Sequence, residues 1–177
     1  MRFLSIIFER PALAFQSLYF RWGSRQDVHQ DSAFVRVSSP REFAASWVAL
    51  EDIQEKSGEL EYFAASHLLE DHLFDGVHKW MPFKSPDYRL YVDSLRARCV
   101  ERGLDHRLFR PRKGDVLLWH ADLAHGGSSI VTPGVTRKSL VTHFCPTDCS
   151  PEYSDAGRAP VRHRFNELAT YSYPARE

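Results

Sequence analysis

The sequence predicts a mainly β domain, a sandwich or barrel-like jelly roll, with one inserted helix and a few short flanking helical pieces. Three observations predict it. Short apolar or alternating runs recur along the chain and are separated by Gly, Pro and Ser turn signals. One segment only, around residues 88–99, carries a clear helical stripe. The 177 residues are 43% hydrophobic and 26% charged, the make-up of one ordinary globular domain with room for a substantial core.

Residues 2–9 read as a short helix closed by Pro11. Ala12 to Trp22, rich in Leu, Phe and Tyr, is a strand that ends in the turn Gly23-Ser24. Val28 to Val37 is the next extended stretch and stops at Ser38-Ser39-Pro40. Phe43 to Ile53 fits either helix or strand by period, and its flanking turn signals and the Trp47-Val48 pair favour a buried strand. After the turn Ser57-Gly58, Glu59 to Ala64 alternates as a half-buried strand. Residues 67–84 are His-rich and aperiodic, a long loop of the kind that forms lids or binding surfaces.

Ser85-Pro86-Asp87 opens the helix, with an N-cap candidate followed by proline at the first helical position. Tyr88, Tyr91, Val92, Leu95 and Cys99 form its apolar stripe, and Gly103 ends it. Phe109 to Gly114 is turn-rich, and Asp115 to His120 is a buried strand. His125-Gly126-Gly127 begins a loop, and Arg137 to Phe144 is an alternating strand. Pro146 and Ser150-Pro151 break structure, and the Pro-rich, charged residues beyond 151 read as a loosely attached arm. A single domain over 1–177 follows, with its core at about 12–146 and a C-terminal arm over 147–177.

Composition excludes several classes. Lys plus Arg equals Asp plus Glu at 23 each, so the basic excess of a nucleic-acid surface is absent. Cys99, Cys145 and Cys149 are too few for a disulfide framework, and one Cys-x3-Cys without a second pair is a poor zinc signal. A reducing cytoplasm is the simplest setting. Glu9 and Arg10 interrupt the first apolar run before it reaches the length of a signal peptide. No run approaches the ~18 apolar residues of a membrane helix.

The chemistry centres on Gln26 to Asp31. His29 and Asp31 sit two apart, so a strand would point both side chains to one face. One imidazole and one carboxylate on a face can hold a divalent metal. A second imidazole would complete a 2-His-1-carboxylate triad with positions left open for substrates. Taken alone, the pair reads more simply as exposed or hydrogen-bonded strand residues. His120 and His125 are the leading sources of the second imidazole. His125 is favoured because Gly126 and Gly127 let other groups come close; His120 also reads as a rim or core histidine. His67, His72, His78, His106, His143 and His163 have no such context and are read as surface, loop or core residues. Arg137, opening the strand after the His125 loop, can offer a bidentate cation to a keto acid's far carboxylate, or sit exposed at a strand start.

Taken together, Gly23 to Ser32 (Gly-Ser-Arg-Gln-Asp-Val-His-Gln-Asp-Ser), Trp47, Gly58 to Tyr62 with Ser66-His67, Lys113 to Asp115, Trp119-His120, His125 to Ser128 and Arg137 to Ser139 resemble the phytanoyl-CoA dioxygenase family over about residues 12–146. The resemblance implies a double-stranded β-helix core and a non-haem, Fe(II)- and 2-oxoglutarate-dependent dioxygenase. It implies that His29, Asp31 and His125 bind iron and that Arg137 pairs with the 2-oxoglutarate C5 carboxylate. Gln30 and Trp47 match positions lining the co-substrate pocket, and Ser128 matches a hydroxyl near it. Asp31 stands where halogenating relatives have a small residue, which implies hydroxylation of a small organic metabolite by O2, with release of succinate and CO2. Two departures are visible. The stretch before the first motif is shorter than the family's usual helical N-terminal region, and Ala64-Ala65-Ser66-His67 replaces the family's Pro-Gly-Ser-His.

A rival reading is a non-catalytic or decayed jelly-roll protein that binds a metal or small ligand. Another is a cupin-like dioxygenase or isomerase that uses no keto acid, against which Arg137 argues. A small-molecule substrate is expected, with no nucleic-acid or membrane partner. The identity of the substrate and the oligomeric state, a homo-oligomer included, stay open.

Overall fold

Two antiparallel sheets face each other, and most of their pairings join residues far apart in the chain. In the computed structural model, the described residues are 1–39, 41–82, 85–153, 161–165 and 168–172, with backbone alone from Tyr153 onward. The elements in chain order are α1 (Arg2–Ile7), β1 (Ala12–Phe20), β2 (Val35–Val37), β3 (Ala44–Ala49), β4 (Leu60–Phe63), α2 (Tyr88–Glu101), β5 (His106–Phe109), β6 (Val116–His120), β7 (His125–Gly127), β8 (Ser139–Pro146), β9 (Pro151–Tyr153), β10 (Val161–Phe165) and β11 (Leu168–Ser172). The larger sheet runs β1-β8-β3-β6 and the smaller β5-β4-β7. This mainly β, double-sheeted jelly roll with few helices agrees with the sequence expectation. No helix among the described residues is long and apolar enough to cross a membrane.

The space between the sheets is filled from both. Trp47 on β3 and Trp119 on β6 pack with Leu60 of β4, Ala45, Ala49, Ile53 and Leu123. A second cluster joins Leu13 and Phe15 of β1 to Val35, Val37, Phe43, Cys145 and Cys149. Cys99, Cys145 and Cys149 are buried in the core clusters. Helix α2 covers the smaller sheet from outside. Its expected stripe is the observed one, with Tyr91, Val92, Leu95 and Cys99 buried against Val28, Phe63, Phe74 and Met81. Gly103 ends it at φ +63°, and Leu104 N donates back to Cys99 O. At the other end, Asp87 is the N-cap and makes no side-chain cap bond; Ser85 Oγ instead accepts from Asp87 N.

Five local expectations are corrected. Val28 to Val37 is not one extended stretch. The chain pairs only at His29, coils into a 3-10 turn over Asp31–Ala33, and resumes as β2. Asp115 to His120 is a strand but not a buried one. It is the edge of the larger sheet, so Trp119 points in while Val116 and Leu118 are exposed. β5 lies where no strand was read, a polar, largely exposed edge without an apolar period. His125 to Gly127 is strand β7 rather than loop. The residues after 151 are not a plain arm: β9 pairs with β2, and β10 with β11 form an antiparallel hairpin.

The glycines of β7 have a packing reason. A Cβ on Gly126 would stand 2.9 Å from Gln26 O and 3.1 Å from Asp27 C. The 24–27 backbone lies on top of this strand, and only glycine leaves room for it. Gly126→Ala is therefore expected to lower stability by about 1–3 kcal/mol through overpacking against immovable backbone. A urea midpoint unchanged from wild type would contradict this close approach.

Candidate metal centre

His29 and His125 meet because their backbones pair. His29 N donates to His125 O at 2.8 Å, and His125 N donates to His29 O at 2.9 Å. This doubly bonded antiparallel pair puts both side chains on one face, with ring centroids 4.6 Å apart. Asp31 joins them by a different route than the strand period. Gln30 is extended, the chain then turns at Asp31, and the carboxylate swings between the imidazoles. The ligand-type atoms of His29, Asp31 and His125 all lie within 4.8 Å of one another, and all three residues are buried.

Hydrogen bonding sets which nitrogen of each ring is free. His29 Nδ1 lies 2.7 Å from Asp27 O, and His125 Nδ1 lies 2.8 Å from Leu123 O. A carbonyl oxygen only accepts, so each Nδ1 carries the proton and each Nε2 keeps its lone pair. Those Nε2 atoms stand 3.8 Å and 3.7 Å from Asp31 Oδ1. Burial, aided by neighbouring His125, pushes His29 down to about 4, so it is a neutral donor at pH 7. Burial works to raise Asp31, but the imidazoles of His125, His143 and His29 around it win and hold it below the usual carboxylate range. Two imidazoles with Nε2 turned toward one ionised carboxylate fit a divalent first-row metal such as Fe(II).

Three structural supports converge on this motif. Trp119 Nε1 donates to Asp31 Oδ2 at 3.1 Å, which leaves Oδ1 facing the histidines. Gln30 N donates to Tyr91 Oη on α2, and Gln30 Nε2 donates to Asp122 O. Asp122 also accepts from Ser32 Oγ and from Lys79 Nζ, which ties the 67–84 segment to the motif.

The cluster forms one wall of a cavity of about 450 Å³, which Trp47, Arg137 and His143 also line. Arg137 is 2% exposed. Its Nη1 donates to Gly58 O at 3.1 Å, its Nε has no partner among the described residues, and its guanidinium carbon lies 5.5 Å from the Trp47 ring and 5.7 Å from the Phe20 ring. Burial pushes it down to about 10 against the opposing influence of Glu59, so it stays charged at neutral pH. A buried cation with an open side and no ion pair among the described residues needs an anion. A planar carboxylate matches a guanidinium edge in shape and charge.

The structure thus brings His29, Asp31, His125, Trp47 and Arg137 to one cavity, and it separates two other expected residues from it. Gln30 turns its amide to Asp122 and braces the motif from behind. Ser128 Oγ donates to Glu59 Oε2 and faces a second surface depression. His120 is also out. Its Nδ1 accepts from Asp122 N and its Nε2 contacts Arg41 O, so neither nitrogen is free. In the sequence reading Trp119 carries only part of the family resemblance, with no role at the site, and His143 has no context. His143, read as a histidine without context, sits 3.6 Å from Asp31 Oδ1 and is 6% exposed. Its even, six-residue spacing from Arg137, which lies just before β8 and lines the same cavity, is the signal that finds it. The side chain of His163 lies outside the described residues.

The chain is similar to known proteins in sequence family and in fold. The model of the phytanoyl-CoA dioxygenase (PhyH) family matches residues 17–139. No curated protein matches the chain in sequence. Among solved structures, the chain resembles the non-haem alpha ketoglutarate-dependent carbocyclase SnoK from nogalamycin biosynthesis, at 18% identity and TM-score 0.58, covering 83% of this chain and 55% of that one. It resembles the epimerase SnoN in complex with Fe3+, alpha ketoglutarate and nogalamycin RO, at 18% identity and TM-score 0.61, covering 96% and 68%. HygX from Streptomyces hygroscopicus with iron bound matches at 19% identity and TM-score 0.52, covering 83% and 64%. The chain thus spans little more than half of the carbocyclase.

Trp119→Phe removes the donor on Asp31 Oδ2 while keeping an aromatic ring. Metal affinity is expected to fall about 10-fold, as for other supports of a ligand. Anaerobic Co(II) titration checks it, and wild-type affinity in the variant would remove Trp119 from the site's support.

Proposed function

The chain belongs to the phytanoyl-CoA dioxygenase family, and on that premise we propose that it is a non-haem Fe(II)- and 2-oxoglutarate-dependent oxygenase that hydroxylates a small organic metabolite. One observation carries the reading. A single cavity holds both the His29, Asp31, His125 cluster and the buried, unpaired edge of Arg137. A metal site alone needs no buried arginine, and an anion site alone needs no triad.

In this reading His29, Asp31 and His125 hold the iron, and Arg137 takes the distal carboxylate of 2-oxoglutarate. When bound, that pair supplies the oxidation of substrate by O2, with succinate and CO2 as by-products. The chain's own work is placement and exclusion of water. Asp27 O and Leu123 O fix the imidazole tautomers, and Trp119 fixes the carboxylate. Trp47 and Phe20 stack against the guanidinium and keep its charge in a dry setting, where it binds an anion more strongly. Phe34, Met81 and Pro82 line the same cavity and give a substrate an apolar wall. Asp31 keeps the carboxylate that halogenating members of the family lack, which favours hydroxyl transfer. The solved relatives named for carbocyclisation and epimerisation make the product itself part of the test.

The test is anaerobic addition of Fe(II) and then 2-oxoglutarate, followed by succinate release on admitting O2. The expected result is a weak visible charge-transfer band and O2-dependent succinate, with a stimulating substrate gaining one oxygen atom. His29→Ala and Asp31→Ala should abolish both signals. Arg137→Ala should retain Fe(II) binding and raise the 2-oxoglutarate requirement by about 100-fold or more, the cost of an unpaired buried charge contact. Retained succinate formation in His29→Ala would refute the ligand assignment. A missing band in the wild type would favour a binding protein.

A further inference from the structure

We infer that His143 is a positioning residue for the metal-binding carboxylate: its Nε2–H is directed at Asp31 Oδ1 and holds that oxygen toward the metal without itself becoming a ligand. The inference rests on the metal-site reading above and adds a third histidine to it with a different job.

His143 lies on β8 opposite Ala45 of β3 and Gln16 of β1, with its side chain in the main cavity. Its ring is held between Phe15, at 5.8 Å, and Phe43, edge-on at 5.2 Å. Nε2 stands 3.6 Å from Asp31 Oδ1, as near as His29 and His125 do at 3.8 and 3.7 Å. Distance alone therefore does not separate the three.

The other ring nitrogen does. His29 and His125 each place Nδ1 on a backbone carbonyl, which forces the proton there and frees Nε2 as a lone-pair donor. His143 Nδ1 is buried with no hydrogen-bond partner among the described residues. A proton on that nitrogen would be a buried donor without an acceptor, the costlier kind of orphan. The proton is therefore better placed on Nε2, where Asp31 Oδ1 accepts it after a small rotation that brings 3.6 Å within hydrogen-bond range. A ring with its proton on Nε2 has no lone pair to give a metal from that side. His143 also falls outside the compact three-residue ligand group. Asp31 then has a donor on each oxygen, Trp119 on Oδ2 and His143 on Oδ1, which fixes its plane and lets Oδ1 bind in one orientation.

The experiment is anaerobic Co(II) titration of the whole chain, read by d–d absorption, with wild type, His143→Phe, His143→Gln and His29→Ala. Phe suits the aromatic surroundings and removes the donor; Gln keeps an N–H near the position of Nε2. His143→Phe is expected to bind Co(II) about 10-fold more weakly with shifted bands. His143→Gln should restore most of the affinity and the wild-type band positions, a rescue that a merely space-filling role would not give. His29→Ala should lose tight binding. Wild-type affinity and bands in His143→Phe would overturn the inference, as would a His143→Gln no better than Phe. A loss in His143→Phe as complete as in His29→Ala would make His143 a ligand and overturn it too. Should His143→Phe fail to fold, His143→Met replaces it in the same comparison. If wild type takes up no Co(II), or His29→Ala titrates like wild type, it is the metal site itself that fails, a result distinct from loss of the His143 effect alone.

Discussion

Two backbone hydrogen bonds, exchanged between His29 and His125, hold the site together. They attach the 24–30 segment to the smaller sheet. They also set two imidazoles side by side without calling on either side chain. Everything nearby depends on that contact. The overlying backbone demands Gly126 and Gly127 beneath it, and the tautomer-fixing carbonyls of Asp27 and Leu123 flank it. Each such bond contributes only about 1 kcal/mol net. Their value is geometric, because they fix two rings that a longer or looser connection would let drift.

The second constraint is burial of charge. Asp31 and Arg137 are both almost wholly removed from water. The carboxylate is compensated locally by Trp119 and by imidazoles on three sides. The guanidinium is compensated less completely, by one carbonyl and two aromatic rings. One buried charge with its partners in place and another with a side left open is the signature of a site built to receive something. The surrounding fold carries that cost through two tryptophans and a well-filled intersheet core.

A third feature is how the outer elements reach the centre. Helix α2 touches the metal motif through Tyr91 Oη on Gln30 N. The 67–84 segment reaches it through Lys79 on Asp122, whose backbone carbonyl holds Gln30 and whose carboxylate holds Ser32. These contacts stand behind the motif rather than in the cavity. Gln30 and Ser128 illustrate the difference: both neighbour functional residues in sequence, and both point away from the cavity in space.

By itself the sequence determined the fold class, the helix with its buried stripe, the turns at Gly58 and Gly103, and the candidates His29, Asp31 and Arg137, with His120 and His125 both offered as the second imidazole. Periodicity, turn chemistry and motif order are local properties, and they survive folding. The tertiary structure alone decided three things. It decided that His125 and not His120 completes the cluster, because strand pairing across about a hundred residues selects the partner. It decided that Asp31 arrives by a 3-10 turn closed by backbone bonds from Ala33 N to Gln30 O and from Phe34 N to Asp31 O, where a strand period would have kept the chain extended. And it brought Trp119 and His143 to Asp31, because sheet register, which no local pattern records, sets which side chains share an interior.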